Sequence, residues 1–542
     1  MNWTLKIGNN ATIELLNHKR IWRTNVANTT TILPPSGYST SWTIYESESL
    51  DSITTGSTST VSYTFLHEHQ FANYDLEIVV TKGLQSYTRY LRRIITVIPQ
   101  RPTVYDEVFD LTNTAIGSGG KTWSNIDRAG YTLKYTGSYN DRVQLNRLYT
   151  DTIDPVTGRL DYIHVVFDAN ATITATVSGR AYALQCIGNC RGIFFDCYAD
   201  DEGNSGTTFA SDSGAGSGQT VYVSGTGNKE IIFGGLNIVG VSNSAAGLSV
   251  QTTATAGQNY DNFNFSGLQI MDCTITNAGD EGIYLNYFTD SLQSGYRYCQ
   301  MNGARVFRNR IINAGWDGIQ WGICKNIEVH NNYVKNSGTK DTGGQNYGMI
   351  ANHGSSGVVY QNKLVSVRPA LFQHIGQTGE GMIWTSNVIE SQGAEYWLIT
   401  TVQEHVETSK VHSVQVYRNT IISTGRMWVD NSSATTTDVG TIKVQNNIIV
   451  GNYNSGNFLI EDFGASETLT GNNFTATASI GDLNFVNVSQ DNYKLTTTSP
   501  SDLNNGDVLT GLNRWVNYDY EGILYDDLTT KGAYSGYELN TL

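Results

Sequence analysis

From about Phe265 to Val450 the apolar and polar positions of the chain fall into one recurring phrase. An apolar residue is followed three positions on by asparagine, and two positions later by a second apolar residue. The copies are Val306/Asn309/Ile311, Val329/Asn332/Val334, Val359/Asn362/Leu364, Trp384/Asn387/Ile389, Val416/Asn419/Ile421 and Val444/Asn447/Ile449. The same register takes in Phe194/Cys197 and Ile270/Cys273/Ile275 upstream and Leu469/Asn472/Phe474 downstream. Steps between these positions run from roughly 23 to 36 residues, the range of stacked structural repeats. The flanking residues are β-branched or aromatic and helical spacings are missing, so the phrase predicts short strands wound into coils.

A buried amide at one fixed place in every coil can donate to one neighbouring coil and accept from the other. A column of asparagines then satisfies itself at a turn whose backbone angles asparagine tolerates. In this the chain resembles the asparagine ladder of a right-handed, single-stranded parallel β-helix. The fold class expected is therefore all-β, a parallel β-helix preceded by a small β-sandwich.

The sandwich is read from residues 1–100. Segments of alternating polarity (Ala11 to Leu16, Thr40 to Tyr45, Thr60 to Phe65, Leu76 to Thr81, Ile94 to Ile98) are separated by turn-rich pieces. Ser41-Trp42-Thr43-Ile44, Tyr63-Thr64-Phe65 and Asn73 to Val80 resemble the polycystic-kidney-disease type of immunoglobulin-like domain, which implies a spacer or attachment role. Pro99 and Pro102 mark a linker. Residues 101–170 are read as that linker and an entry cap, with Asp141-Arg142-Val143 and Ile163 to Phe167 at the mouth of the coil. Coils are expected over 171–500, and a closing segment over 501–542. Ser499-Pro500, the aspartate-rich Asn517 to Gly522 and Gly532-Ala533-Tyr534 resemble the seal of bacterial polysaccharide-active β-helices. Together these phrases are similar to the pectate-lyase-like superfamily over roughly residues 104 to 540.

Composition narrows the partners. The 542 residues carry a net charge of −15, so no basic face exists on the scale needed to displace counterions from nucleic acid. No apolar run approaches the ~18 residues that cross a bilayer. The N-terminal Met-Asn-Trp-Thr-Leu-Lys has no basic-then-apolar signal segment, which suggests an extracellular or virion-surface protein delivered by lysis, within a particle, or after loss of a leader. Cys197 and Cys273 stand in the ladder column as small buried fillers, while Cys186 and Cys190 are close enough to pair across a tight loop.

Residues at equal offsets in successive coils stack about 4.8 Å apart. Counting eight from the ladder position gives Glu281 and Asp317, inside the matching phrases Asn277-Ala278-Gly279-Asp280-Glu281-Gly282-Ile283 and Asn313-Ala314-Gly315-Trp316-Asp317-Gly318-Ile319. With Asp280 beside them, mutual repulsion should raise at least one pKa unless a cation intervenes. Three uses fit: an acid and its partner carboxylate for glycoside cleavage, a calcium site of Asp280, Glu281 and Asp317, or simply an Asp-Gly corner turn. Glu395 shares the offset from Asn387 but lies three coils on, roughly 14 Å away, too far to partner Asp317. Beside this column stand His353, Arg368 and His374, with Lys340 on an overhanging loop, the base and cations that a uronate lyase requires. Trp316, Trp321, Tyr347, Trp397 and Trp428 are candidates for an outward aromatic row stacking on sugar rings, whereas Trp384 belongs to the core.

These residues point to a protein that engages a polysaccharide or cell-surface glycan and can depolymerise it, in the manner of the tail spikes this architecture resembles. A secreted polysaccharide lyase or glycoside hydrolase is the alternative, and a structural particle component a third. Homotrimerisation, or attachment to a larger assembly through residues 1–100, accompanies the first reading.

Overall fold

The computed structural model describes residues 3–7, 11–111, 121–123, 130–146, 162–175, 182–188, 190–211, 218–225, 228–240, 245–251, 255–256, 265–285, 296–297, 301–340, 347–352, 355–366, 371–375, 381–391, 395–401, 412–423, 426–430, 439–451, 458–460, 466–468, 473–476, 485–487, 492–496 and 537–538. Among them, three long sheets run side by side along one coil, paired in parallel coil after coil. Sheet 1 starts at Glu107–Asp110 and passes through Ile163–Phe167, Gln269–Met271 and Arg305–Phe307 to Ser466–Thr468. Sheet 2 runs from Thr172–Ala175 to Asn473–Ala476, and sheet 3 from Lys121–Trp123 to Phe458–Ile460. This is a parallel β-helix.

One coil shows how the sequence makes it. Gln269–Met271 belongs to sheet 1, Thr274–Thr276 to sheet 2 and Ile283–Leu285 to sheet 3. Between sheets 1 and 2 lie two residues, the first of them left-handed: Asp272, Arg308, Asn331, Gln361, Ser386, Arg418 and Asn446 all have φ between 50° and 57°. The second is the ladder residue. Asn309, Asn332, Asn362, Asn387 and Asn419 each donate the side-chain amide, at 2.9 to 3.0 Å, to the Oδ1 of the next asparagine, ending at Asn447. Their backbone N–H groups do the same at 2.8 to 3.0 Å, and the second amide hydrogen reaches a carbonyl of the coil before, as Asn362 does to Val329. Cys273 keeps the backbone half of the pattern, donating to Asn309 Oδ1. Asn472 lies outside the described residues.

The ladder is buried beside a continuous apolar core in which sheet 1 contributes Val306, Val329, Val359, Trp384 and Val416 in register. Cys186, Cys190, Cys197 and Cys273 are buried free thiols, and no bond joins Cys186 to Cys190.

The coil begins earlier than its asparagine phrase. Thr132–Thr136 and Ile163–Phe167, within the stretch read as linker and cap, already pair in parallel and place Leu133, Tyr135, Val165 and Phe167 in the core. At the ladder place, just before each sheet 2 strand, Ala171, Thr207 and Leu236 stand ahead of Cys273, so the repeat leaves no asparagine trace there. At the other end, Phe485–Asn487 and Asn492–Thr496 form an antiparallel pair that Tyr537–Glu538 joins. The remainder of the 501–542 segment lies outside the described residues.

Residues before the linker form two sheets around their own core, antiparallel except where Ile21–Arg23 pairs in parallel with Gln85–Ile98. Trp3–Ile7, Ala11–Leu16, Asn28–Leu33 and Thr60–Tyr63 make one, and Ile21–Arg23, Gln85–Ile98, Asn73–Lys82, Ser39–Glu46 and Ser52–Gly56 the other. Ile13, Leu15, Ile32 and Val61 meet Trp42, Ile44, Ile78 and Val97 between them. The unit does not stand apart from the coil. Phe194, Ile232, Met271 and Phe307, on the outer face of sheet 1, pack with Ile21, Phe71 and Ile98 of the sandwich, so an apolar stripe that would otherwise meet water is covered.

Around that stripe the contact is ionic. Asp196, fully buried, is bound by Arg23, Arg101 and His164 at 2.6 to 3.1 Å. Arg93 Nη1 reaches Glu328 at 2.7 Å and His330 Nε2 at 2.9 Å, while Arg308 bridges Asp272 and Thr96.

Candidate functional site

The register of sheet 3 aligns Ile283 with Ile319 and Ile319 with Met349. Two positions earlier, Glu281, Asp317 and Tyr347 occupy one corner in three successive coils. Glycines at 282, 318 and 348 carry the chain from corner to strand. A Cβ at Gly282 would stand 2.6 Å from the Gly318 carbonyl oxygen, and one at Gly318 would stand 2.5 Å from that of Gly348. Only glycine lets the coils approach this closely at the acids.

The two carboxyls are bridged by an amide that the sequence pattern did not single out. Oriented to suit its neighbours, the Gln320 side chain donates to Glu281 Oε1 at 3.1 Å and Asp317 Oδ2 at 2.9 Å, and accepts from Asn352 Nδ2 at 2.7 Å. Asp317 also accepts the Tyr347 backbone N–H at 2.6 Å. The two carboxyl oxygens, sharing one donor nitrogen, are therefore closer than the ~6.5 Å at which inverting glycosidases begin. The available signal was the alternation Ile319-Gln320-Trp321, which puts an amide on the outer side of the strand three residues past Asp317.

Burial dominates the electrostatics. Asp317 has no exposed surface and Glu281 5%. Burial pushes the Glu281 carboxyl up to about 7, with the Asp280 charge adding to the rise and Lys340 opposing it. Asp317 is held well above the ordinary carboxylate range, by burial first and the Glu281 charge second, against the Tyr347 N–H that favours its ionised form. Asp280 is also raised by burial, but it pairs with Lys340 Nζ at 3.1 Å, and that ammonium lies 5.8 Å from the Trp316 ring centroid.

Several expectations change accordingly. Asp280 turns to Lys340 while Glu281 and Asp317 turn to Gln320, so the three acids do not converge. Among the described residues no group of three such ligands is arranged for a metal ion, and the calcium arrangement of Asp280, Glu281 and Asp317 is not formed. Trp321 is no outward platform: it is fully buried, 5.9 Å from Trp384, because it shares the inward parity of Ile319. Tyr347 is buried beside Ile350 and serves the site through its backbone. Trp316 stays half-buried at the rim.

His374, Glu395, Trp397 and Trp428 fall on sheet 3 strands at Leu371–Ile375, Glu395–Thr401 and Arg426–Asp430, where the backbone course alone is described. His353 and Arg368 lie outside the described residues.

A second face is better displayed. On the outer side of sheet 2, Thr172, Thr208, Asn237, Thr274, Arg310, Tyr333 and Lys363 pair in register, a line of hydroxyl, amide, phenol and cationic groups that are exposed or half-buried. Its rim carries a second ladder, with Asn336 donating to Asn313 at 3.1 Å and Asn313 to Asn277 at 3.0 Å. These asparagines are left-handed, with φ of 56° to 59°.

No protein-family model matches the sequence, and no curated protein matches it. Solved structures give distant likenesses. One is a GH136 lacto-N-biosidase from Eubacterium ramulus, at 11% identity over 64% of this chain and 62% of that one, with a TM-score of 0.35. Another is tailspike protein 2 of an Escherichia coli O157:H7 bacteriophage, at 10% over 79% and 53%, TM-score 0.37. A third is the family 28 exopolygalacturonase of Yersinia enterocolitica, at 9% over 87% and 98%, TM-score 0.32. The chain spans 62% and 53% of the first two, less than two thirds of either. The β-helix assignment stands on the chain's own three parallel sheets.

Proposed function

We propose that the protein engages a polysaccharide along the side of its coil. The observation that carries this is the register of sheet 2, which lines up hydroxyl, amide, aromatic and cationic side chains at strand spacing on an open face. A linear sugar chain offers hydroxyls and apolar ring faces at a regular repeat, and such a line answers both. A panel of neutral and acidic polysaccharides in a native-gel retardation assay tests the reading; retardation by none of them would contradict it.

Glycan cleavage is the second reading, favoured by a carboxyl near pKa 7 within reach of another acid. Acid and nucleophile need pKa values pushed apart, however, and here burial raises both. The pair is accordingly assigned to holding the corner in its neutral, hydrogen-bonded form. Glu281→Gln keeps the shape and an amide donor, so turnover of any cleaved glycan should survive it. A loss of about 100-fold or more in a folded variant would make Glu281 the acid.

A further inference from the structure

We infer that the polysaccharide is a sparsely charged polyanion, such as a uronate-containing chain, and that it binds the outer face of sheet 2 around Arg310, Tyr333 and Lys335. This rests on the glycan reading above and adds to it a charge class and a place. Arg310 pairs in register with Tyr333, and its guanidinium lies 4.9 Å from that ring's centroid. Lys335 stands two residues along the same strand, on the same side of the sheet. Arg310 is exposed and Tyr333 and Lys335 are half-buried. Among the described residues neither Arg310 nor Lys335 is paired with a carboxylate.

The chain as a whole carries 49 acidic against 34 basic residues. Among the other cations described, Arg23, Arg93, Arg101 and Arg308 are committed to the docking contact and Lys340 to Asp280. On the two outer columns of sheet 2, no acid occurs between Thr172 and Val365, and the first is Glu390. An anionic partner would meet two fixed cations and a Tyr333 ring already set against Arg310.

The rest of the face selects among polyanions. Thr274 and Thr276 continue the line as neutral hydroxyls, suited to a hydroxyl-rich chain. A nucleic acid carries a charge about every 1.7 Å along its axis, and the net −15 of the protein repels such a partner more than one charged only once per sugar.

The test uses the full chain against polygalacturonate, alginate, hyaluronate and polysialic acid, with dextran as neutral control and duplex DNA as the competing polyanion. Arg310→Gln/Lys335→Gln is compared with a charge-matched control in the sandwich, Lys82→Gln/Arg89→Gln. The expected result is retention by at least one acidic glycan, on the order of tenfold weaker in the first variant and unchanged in the control. Equal binding by both variants, binding of dextran alone, or equal affinity for DNA would overturn the inference while leaving side-on glycan binding or polyanion binding as separate facts. Binding to nothing in the set, when a wider neutral panel also fails, overturns the glycan reading itself. Circular dichroism of both variants confirms that loss of binding is not loss of fold.

Discussion

Asn362 shows what one residue does here. Its Oδ1 accepts two N–H groups from Asn332, and its amide donates to Asn387 Oδ1 and to the carbonyls of Val329 and Tyr360, all inside the coil. Asn362→Ala leaves the Asn332 backbone N–H and one of its amide hydrogens buried without that acceptor, and at about 1–3 kcal/mol for each unsatisfied group the loss in urea unfolding should be roughly 2–6 kcal/mol. A cost below ~1 kcal/mol would mean the column carries no load. The ladder was legible because its chemistry repeats at a fixed distance from apolar neighbours. Gln320 was not, because its partners Glu281, Asp317 and Asn352 become neighbours only once three coils are in register. The same corner has a pH signature. The raised pKa of Glu281 means that its contribution to stability is full below pH 4.5 and lost as pH rises through about 7. Glu281→Gln should therefore be relatively more stable than the native protein at pH 8 than at pH 5, and an unchanged difference would contradict the assignment.

Between elements, the informative contact is the sandwich seated on sheet 1. His330 is stacked between Phe307 and Tyr360 at 4.9 and 4.7 Å, with Nδ1 against Asn331 Oδ1 at 2.7 Å and Nε2 facing Arg93. The ring thus accepts from an arginine and must be neutral to do so. Burial first, then Arg93, holds its pKa well below 6.5, and Arg308 and Arg305 act the same way, while Asn331 opposes them. A depressed histidine contributes fully above 6.5, and that contribution is lost as pH falls towards the folded value, by up to about 1.4 kcal/mol per pH unit. His330→Gln, which retains an acceptor, should lose less stability than the native protein between pH 7 and pH 5. Equal losses would show that His330 does not sense the interface. None of this docking was visible beforehand, since residues 93 and 330 are linked by no periodicity, whereas the alternation of Ser39–Glu46 displayed the sandwich strand itself.

At the scale of the whole molecule, stacking converts sequence repeats into lines of side chains. The start of the coil carries no such trace in the sequence, because Ala171, Thr207 and Leu236 stand where later coils carry asparagine, while the corner of Glu281 and Asp317 is reached by counting from the ladder. Stacking also sets the dimension of the open face. From Thr172 to Lys363 the outer line of sheet 2 crosses seven strands, roughly 29 Å at strand spacing. A track of that length and a small pocket respond differently to ligand size, so the decisive measurement is affinity against oligomer length, by calorimetry with polygalacturonate oligosaccharides. Side-on binding predicts affinity that climbs with each added sugar until the oligomer spans the face, then levels. Affinity already at its plateau with a disaccharide would contradict a line of contacts along the coil.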